Sequence, residues 1–349
     1  MPQPVNFQLF NNKAATQAEY AAFNHHLNRM RRERLPDDQP SPIQDTIQQF
    51  QSLPDFVDLK LWFAWDTDQK EIIAQGNVAL LNMEENRHLA QFDISVLPEY
   101  RRQGCGRELL RRIASAARAD GRRTLMTDTN DRIPGGEAFM RRLGAAPGLV
   151  GHVNQLRMAD LDRDLLARWL AQGQAHAAEF ELGLWDGPYP EADMEGIIEL
   201  VKLTNQQPLG DLEINDLNLS ADQIRQIEAG FFARGFQRWT FYVRQHATGR
   251  FAGYTETVWN PHNPEVLRQD MTGVFPEFRN KGLGRWLKAA MLEKVIQEHP
   301  EVKFVRTQNA DTNAAMLKIN NELGFQPYMA STLWQVELAR VLDYLGEAN

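Results

Sequence analysis

Runs rich in β-branched and aromatic residues, broken by polar turns, predict strands at Val57 to Trp65, Glu71 to Leu81 and His88 to Leu97. The turns are short: Asp66-Thr67-Asp68 and Asn82-Met83-Glu84-Glu85-Asn86. Ahead of them the pattern predicts a strand at Asn6 to Phe10 and helices at about Thr16 to Arg34 and Ser41 to Leu53. After them Leu109, Leu110, Ile113, Ala116 and Ala117 recur at helical spacing with arginines on the other face, an amphipathic helix that ends near Gly121. A short strand and a helix at Glu137 to Leu143 complete this set.

The second half repeats the order. Ala178 to Trp185 reads as a strand, Glu191 to Leu203 and Ser220 to Arg234 as helices, and Arg238 to Arg244, Phe251 to Trp259 and Val266 to Phe275 as three strands. A helix with the stripe Leu287, Met291 and Val295 stops at Glu298-His299-Pro300. A strand at Val302 to Thr307, a helix at Asn313 to Leu323 and a strand at Ser331 to Leu338 follow. The reading is α/β (α+β) with two domains, residues 1–158 and 177–349, joined by a connecting helix within 159–176.

Composition narrows the class. Apolar residues are 43% and charged residues 24%, and no apolar run is long enough for a membrane span, so a soluble protein without membrane partners is expected. The start MPQPVNFQLF has no secretory pattern, and one cysteine, Cys105, forms no internal disulfide; both fit a cytoplasmic location. A net charge of −8 argues against nucleic acid as a partner and suits a cationic substrate. No metal site is expected.

Two basic glycine turns carry the candidate chemistry. Arg279-Asn280-Lys281-Gly282-Leu283-Gly284-Arg285 follows Met271-Thr272-Gly273-Val274-Phe275, and 178 positions earlier Arg101-Arg102-Gln103-Gly104-Cys105-Gly106-Arg107 follows Phe92-Asp93-Ile94-Ser95-Val96-Leu97. A strand, a glycine turn and a helix start together point main-chain amides at one place and form an anion site fit for a pyrophosphate. The plain alternative is a tight strand-to-helix connection. The spacing is neither the dinucleotide Gly-x-Gly-x-x-Gly nor a Walker loop.

Both turns resemble the acyl-CoA-binding motif R/Q-x-x-G-x-G/A of the GNAT N-acyltransferase superfamily, and Asn313 to Phe325 resembles that family's later Asn-led helix closing in Leu-Gly-Phe. The layout is similar to the tandem GNAT proteins, the group to which mycothiol synthase belongs. The resemblance implies two mostly antiparallel, splayed sheets flanked by helices, and acetyl-CoA or another acyl-CoA as the acyl donor. It places the pantetheine on Thr272, Gly273 and Val274, and on Ile94, Ser95 and Val96 in the first half. The pyrophosphate falls on Arg279, Asn280, Lys281, Gly282, Leu283, Gly284 and Arg285, and on Arg101, Arg102, Gln103, Gly104, Cys105, Gly106 and Arg107. Asn309 and Asn313 join the cofactor set; Asn313 is also a natural helix N-cap. The remaining arginines of the first turn's helix read as a solvated face.

Amide formation from a thioester needs a base for the amine, a donor for the developing oxyanion and an acid for the departing thiolate. Glu256 and Asp270 are the carboxylates expected near the thioester, and the Val274 N–H is the expected oxyanion donor. Where many relatives carry an acidic tyrosine this chain has Asn320, and Tyr328 is a substitute; a thiolate with a pKa near ~8.5 can also leave without a dedicated acid. In the first half Met140 and Ile133 stand at the positions of Asn320 and Asn313, and Pro134-Gly135-Gly136 shortens the helix. The expected activity is therefore N-acetyl transfer to a small-molecule amine in the second half, with the first half able to hold CoA. A non-catalytic acyl-CoA-binding or sensing protein is the alternative. Trp185-Asp186-Gly187-Pro188-Tyr189-Pro190 and Asp211 to Asp216 are the expected acceptor-binding segments.

Overall fold

The computed structural model describes residues 5–12 and 14–347. Of the N-terminal stretch read above, residues 1–4 lie outside the described residues. The chain forms two compact units, and neither is a continuous half: one holds the chain through Val150 together with Leu209–Asn215 and the segment from Ser331 onward, the other holds Gly151–Pro208 and Asp216–Ala330.

In the first unit β1 (Asn6–Leu9) is followed by helices α1 (Gln17–Arg34) and α2 (Ile43–Gln51), then by β2 (Val57–Trp65), β3 (Ile72–Leu81) and β4 (Leu89–Val96). Helix α3 (Cys105–Ala119), strand β5 (Thr124–Asn130), helix α4 (Pro134–Arg142) and the start of β6 (Ala146–Arg157) complete its N-terminal part. β1 to β4 pair antiparallel in order, and β5 lies parallel to β4.

The second unit takes residues 151–157 of β6, then α5 (Arg163–Gln174), β7 (Phe180–Asp186), α6 (Met194–Val201) and α7 (Ala221–Ala233). Strands β8 (Gln237–Gln245), β9 (Phe251–Trp259) and β10 (Val266–Val274), helix α8 (Leu283–Glu298), β11 (Phe304–Ala310) and α9 (Ala314–Leu323) follow. β7 to β10 pair antiparallel and β11 lies parallel to β10, so the second sheet repeats the first.

The expected cut within 159–176 is corrected by the last strand of each sheet. Strand β12 (Gln326–Glu337) places Ser331–Glu337 antiparallel to β5, so the chain's end completes the first unit, while Gly151–Arg157 lies antiparallel to β11 and completes the second. The sequence reading assigned Ser331 to Leu338 to the second half and had no strand at 146–157. Helix α5 is no connector either. Its Leu166 and Trp169 join Leu267, Leu292, Val295 and Val305 in the second unit's core, and Gly173 sits so close to Trp286 that an added Cβ would fall 2.1 Å from the indole. This packing explains why α8 is buried on nearly every side rather than along the single expected stripe.

In the first unit α3 buries Leu109, Leu110, Ile113, Ala114 and Ala117 as its spacing predicts. Gly135 and Gly136 do not push the start of α4 to Glu137: Pro134 opens the helix, with its fixed φ suited to the first turn. Trp334, Val336, Leu338 and Val341 enter the same core as Val78, Leu80, Ile113 and Leu125, the last two of the four from the unexpected helix α10 (Leu338–Leu345).

Because the first unit draws its final strand from the chain's end, Trp334→Ala is expected to destabilise it by about 3–5 kcal/mol, the cost of truncating a buried aromatic. Denaturant unfolding followed by a first-unit probe measures it. A chain ending at residue 158 is expected to expose its core and fail to fold cooperatively, and a cooperative transition in that fragment would contradict the assignment.

Candidate active site

The two glycine turns have one geometry. Arg102 and Asn280 take φ of 63° and 64°, and Gly104 and Gly282, which open α3 and α8, take 96° and 78°. That left-handed pair is what glycine is needed for at the second position. The Arg101 Nε donates to the Val96 carbonyl and the Arg279 Nε to the Val274 carbonyl, each at 3.0 Å, which folds each turn back onto its strand. Among the described residues the amides of 102–107 and of 280–285 make no backbone hydrogen bond. Six successive donors at a helix start are therefore left without a backbone acceptor, where the helix dipole adds about half a positive charge.

The strands before the turns open as well. β10 pairs with β11 only at Val266, Leu267 and Arg268, and β4 with β5 only at Leu89, Ala90 and Gln91; beyond those residues the parallel strands splay. Phe275 N–H bonds back to Ala252, so strand alternation turns the Val274 N–H toward the splayed side. In the second unit the splay and the turn share one cleft of about 620 Å³, lined by Thr272, Gly273, Val274, Arg279, Asn280, Gly282, Leu283, Gly284, Arg285 and Asn313 among others. Ten of the twelve cofactor positions expected in that half thus meet at one surface. Asn313 caps α9 through its Oδ1 on Met316 N–H and donates to Gln207, which stands on the opposite wall.

Lys281 and Asn309 do not line this cleft. Lys281 pairs with Glu179 at 2.6 Å, on the far side of the turn. Asn309 is buried and accepts from Asn320 Nδ2 at 2.7 Å; Asn320, 1% exposed, accepts in turn from the Lys288 Nζ at 3.0 Å. Tyr328 is also not part of the cleft wall and lies against Arg306, its ring 4.5 Å from the guanidinium.

Neither expected carboxylate is among the residues lining the cleft, and the two differ in their surroundings. β10 carries a bulge between Gln269 and Thr272, so Asp270 and Met271 together oppose Glu256 on β9. Asp270 is ion-paired with Arg268 at 2.7 Å near the surface. The Glu256 side chain is 17% exposed, and its Oε2 accepts from Tyr189 Oη at 2.5 Å and Thr240 Oγ1 at 3.0 Å. Its other oxygen has no hydrogen bond among the described residues. Burial raises the Glu256 carboxyl above the usual carboxylate range, against the opposing pull of Arg238, Tyr189 and Thr240. Arg238 is itself held by the buried Glu228, which also accepts from the Tyr189 N–H at 2.8 Å.

The segment Trp185 to Pro190 reaches the carboxylate through Tyr189. The acidic run Asp211 to Asp216 does not reach the cleft: most of it belongs to the first unit, where Glu213 and Asn215 bond to Gln335, His88 and Asn86. Gln207 and Lys288 are the functional candidates that sequence reasoning missed; Tyr189 lay within an expected acceptor-binding segment, but its contact with Glu256 was not foreseen. For Lys288 a signal existed, a lysine one turn past Gly284 on the apolar side of its helix.

The first unit's turn is built alike, and its surroundings differ. The register between β3 and β4 runs unbroken past Asn77 and Asp93, with no bulge. The Arg101 guanidinium grips both oxygens of Glu33 on α1, and the buried His26 of the same helix lies 2.8 Å from both Ser95 Oγ and the Ile72 carbonyl. Burial pushes the His26 imidazole down to about 4, so it is neutral at pH 7, donates through Nδ1 to Ile72 and accepts from Ser95.

Among the described residues no helix is long and apolar enough to cross a membrane, and no group of three or more His, Cys, Asp or Glu side chains could hold a metal ion. Residues 58–144 match the acetyltransferase (GNAT) domain family. A tandem GNAT protein from the clavulanic acid biosynthesis pathway is similar over 96% of this chain and 99% of its own, with 26% identity and a TM-score of 0.78. A GCN5-related N-acetyltransferase from Sphaerobacter thermophilus matches 97% of each chain at 12% identity and a TM-score of 0.65. An acetyltransferase-like protein from Pyrococcus horikoshii matches 96% of this chain and 90% of its own, at 13% identity and a TM-score of 0.55. The sequence matches no curated protein.

A side chain at Gly284 would project toward Ile319 and Val274, both walls of the cleft. Gly284→Val is expected to leave the fold intact and to weaken acetyl-CoA binding at the second unit by about tenfold or more, at least ~1.4 kcal/mol. Calorimetry checks it, and unchanged affinity in a folded variant would contradict the cradle.

Proposed function

As a tandem GNAT protein, one chain carrying the acetyltransferase fold twice, this molecule is one for which we propose acetyl transfer from acetyl-CoA to the amine of a small-molecule acceptor, in its second unit and by direct attack within a ternary complex. The observation that carries the reading is the cleft in which the turn with its unpaired amides, the splayed edge of β10 and Asn313 meet. Those residues fit an acyl-CoA. The amides of 280–285 suit a pyrophosphate, and the unpaired edge of Thr272 to Val274 suits the amide groups of a pantetheine chain.

Glu256 is the base in this reading. Tyr189 and Thr240 fix its Oε2, which leaves Oε1 to take the proton as the amine nitrogen bonds to the acyl carbon. Its raised proton affinity brings it closer to the working pH than an exposed carboxylate. Asp270, already paired with Arg268, is the weaker candidate. The Val274 N–H is the donor for the oxyanion, since it points into the splay.

For the first unit alone the non-catalytic reading is favoured. It lacks the bulge, and α1 occupies the side chains of Ser95 and Arg101 that a ligand would meet. Gly104→Val is therefore expected to leave turnover unchanged, while Gly284→Val abolishes it.

With an acceptor found by an amine panel, Glu256→Gln is expected to lower kcat by about 10²–10⁴-fold. Below its raised pKa Glu256 is protonated and cannot accept, so wild-type turnover should rise with pH through an acidic limb that the variant lacks. Wild-type turnover retained in Glu256→Gln, with the limb in place, would remove Glu256 from the mechanism.

A further inference from the structure

Next to the amide assigned to the oxyanion the cleft is apolar. Leu203, Pro208, Met271 and Met316 line it together with Gly273 and Val274. Met271 is one of the two residues that the bulge in β10 sets against Glu256. Its ε-methyl lies over the Gly273 backbone: a Cβ added at Gly273 would fall 2.9 Å from that methyl and 3.3 Å from the Leu203 side chain. Gly273 supplies the carbonyl half of the peptide whose N–H belongs to Val274. The Met271 methyl therefore stands beside the oxyanion donor.

Two contacts keep Met271 in that place. Leu203 backs it, and the Gln207 Nε2 donates to its Sδ at 3.6 Å, a weak bond. The direction of the Gln207 amide is itself fixed, because its Oε1 accepts from the Asn313 Nδ2 at 3.0 Å and leaves the NH₂ end for the sulfur. A free methionine repacks readily around a ligand. One tied through Gln207 to the residue that caps α9 is restrained. At the corresponding positions the first unit carries polar side chains: counting back 178 positions from Met271 and Gly273 gives Asp93, which accepts from Gln75 at 2.7 Å, and Ser95, whose hydroxyl is taken by His26.

We propose that Met271, restrained by Gln207, sets the length of acyl group that the second unit accepts and confines it to acetyl. The inference rests on the reading of the cleft as the acyl-CoA site, with the Val274 N–H on the acyl oxygen. A hydrogen bond of ordinary length there puts the acyl carbon about 4 Å from the Val274 nitrogen. An acetyl methyl then packs against the ε-methyl of Met271, which occupies the space that further acyl carbons need. A longer chain has to push Met271 away from Gln207 and Leu203 or turn toward the polar side of the cleft. Hydrophobic pockets of this kind distinguish a single methylene by about 10- to 200-fold.

Binding alone tests this, without an acceptor. Calorimetry with CoA, acetyl-CoA and butyryl-CoA is run on wild type, Met271→Ala, Met271→Phe and Gln207→Leu, with free CoA as each protein's own reference; the second unit's binding event is the one that Gly284→Val weakens. Wild type is expected to bind butyryl-CoA about tenfold or more less tightly than acetyl-CoA, and Met271→Ala should close that gap to about threefold or less. Gln207→Leu, which releases Met271, should narrow it in part. Met271→Phe should weaken acetyl-CoA relative to CoA. Equal affinity of wild type for acetyl-CoA and butyryl-CoA overturns the proposal, as does a gap in Met271→Ala as wide as in wild type; with CoA bound, either result leaves the cleft assignment standing. Absence of CoA binding to wild type overturns both. Should Met271→Ala not fold, Met271→Phe decides: an acetyl-CoA to CoA ratio equal to that of wild type overturns the role of Met271.

Discussion

The parting of two parallel strands after three residue pairs sets the terms for the rest of the second unit. Past Arg268 and Arg306 the main-chain groups of β10 and β11 lose each other as partners, and a polypeptide interior does not leave such groups unpaired. The opening lines a cleft and ends at a turn whose six amides also lack backbone partners among the described residues. Unpaired donors are thus concentrated where a long, polar, anionic ligand can supply the acceptors. The same splay occurs between β4 and β5, so the cause is the fold and not the local sequence.

What distinguishes the two units is how the opening is surrounded. In the second, Gln206 and Gln207 approach the turn from the α6 side, and each accepts one hydrogen bond through an uncharged amide oxygen, from Arg279 and Asn313 respectively. In the first, the long helix α1 supplies Glu33 and His26, and a bidentate charged contact plus a buried imidazole bond hold the corresponding positions. A bidentate pair of opposite charges is stronger than single bonds to uncharged amides, so a ligand displaces the Arg101–Glu33 contact at greater cost. The bulge adds a second difference, because the extra residue in β10 turns the strand's side chains relative to β9 just opposite Glu256.

Much of this was legible in the sequence, and the failures have one physical origin. Strands 57–65 and 251–259 were read to the residue, and the two turns were found because φ above zero demands glycine at a fixed offset from a strand. Short-range signals decide such features. The last strand of each sheet is decided by pairing across most of the chain: Ser331–Glu337 has partners at 124–130, and nothing local in it says which sheet it joins. The same holds for α5, whose apolar face reads equally as a linker helix or as a partner for α8. In the site, the glycine cradle and Asn313 were legible from spacing. Tyr189 was not seen as Glu256's partner, because their contact joins residues 67 apart in sequence.

Lys288 shows how a sequence hides a charged group within an apolar pattern. The stripe Leu287, Met291 and Val295 predicts an amphipathic helix, and Lys288 falls on its apolar side, where a long side chain can still reach water if the helix has an open edge. Helix α8 has almost no wet face, since α5 covers the side that a two-layer fold would expose. A lysine on a helix so enclosed must either find an anion or lose its proton easily. Asn320 supplies an acceptor without a charge, which preserves that second option; a carboxylate there would pin the proton and hold the ammonium charged at any working pH. The choice of an amide as the lysine's partner, with no carboxylate alongside, leaves the effect of burial unopposed and keeps the lysine's proton affinity low.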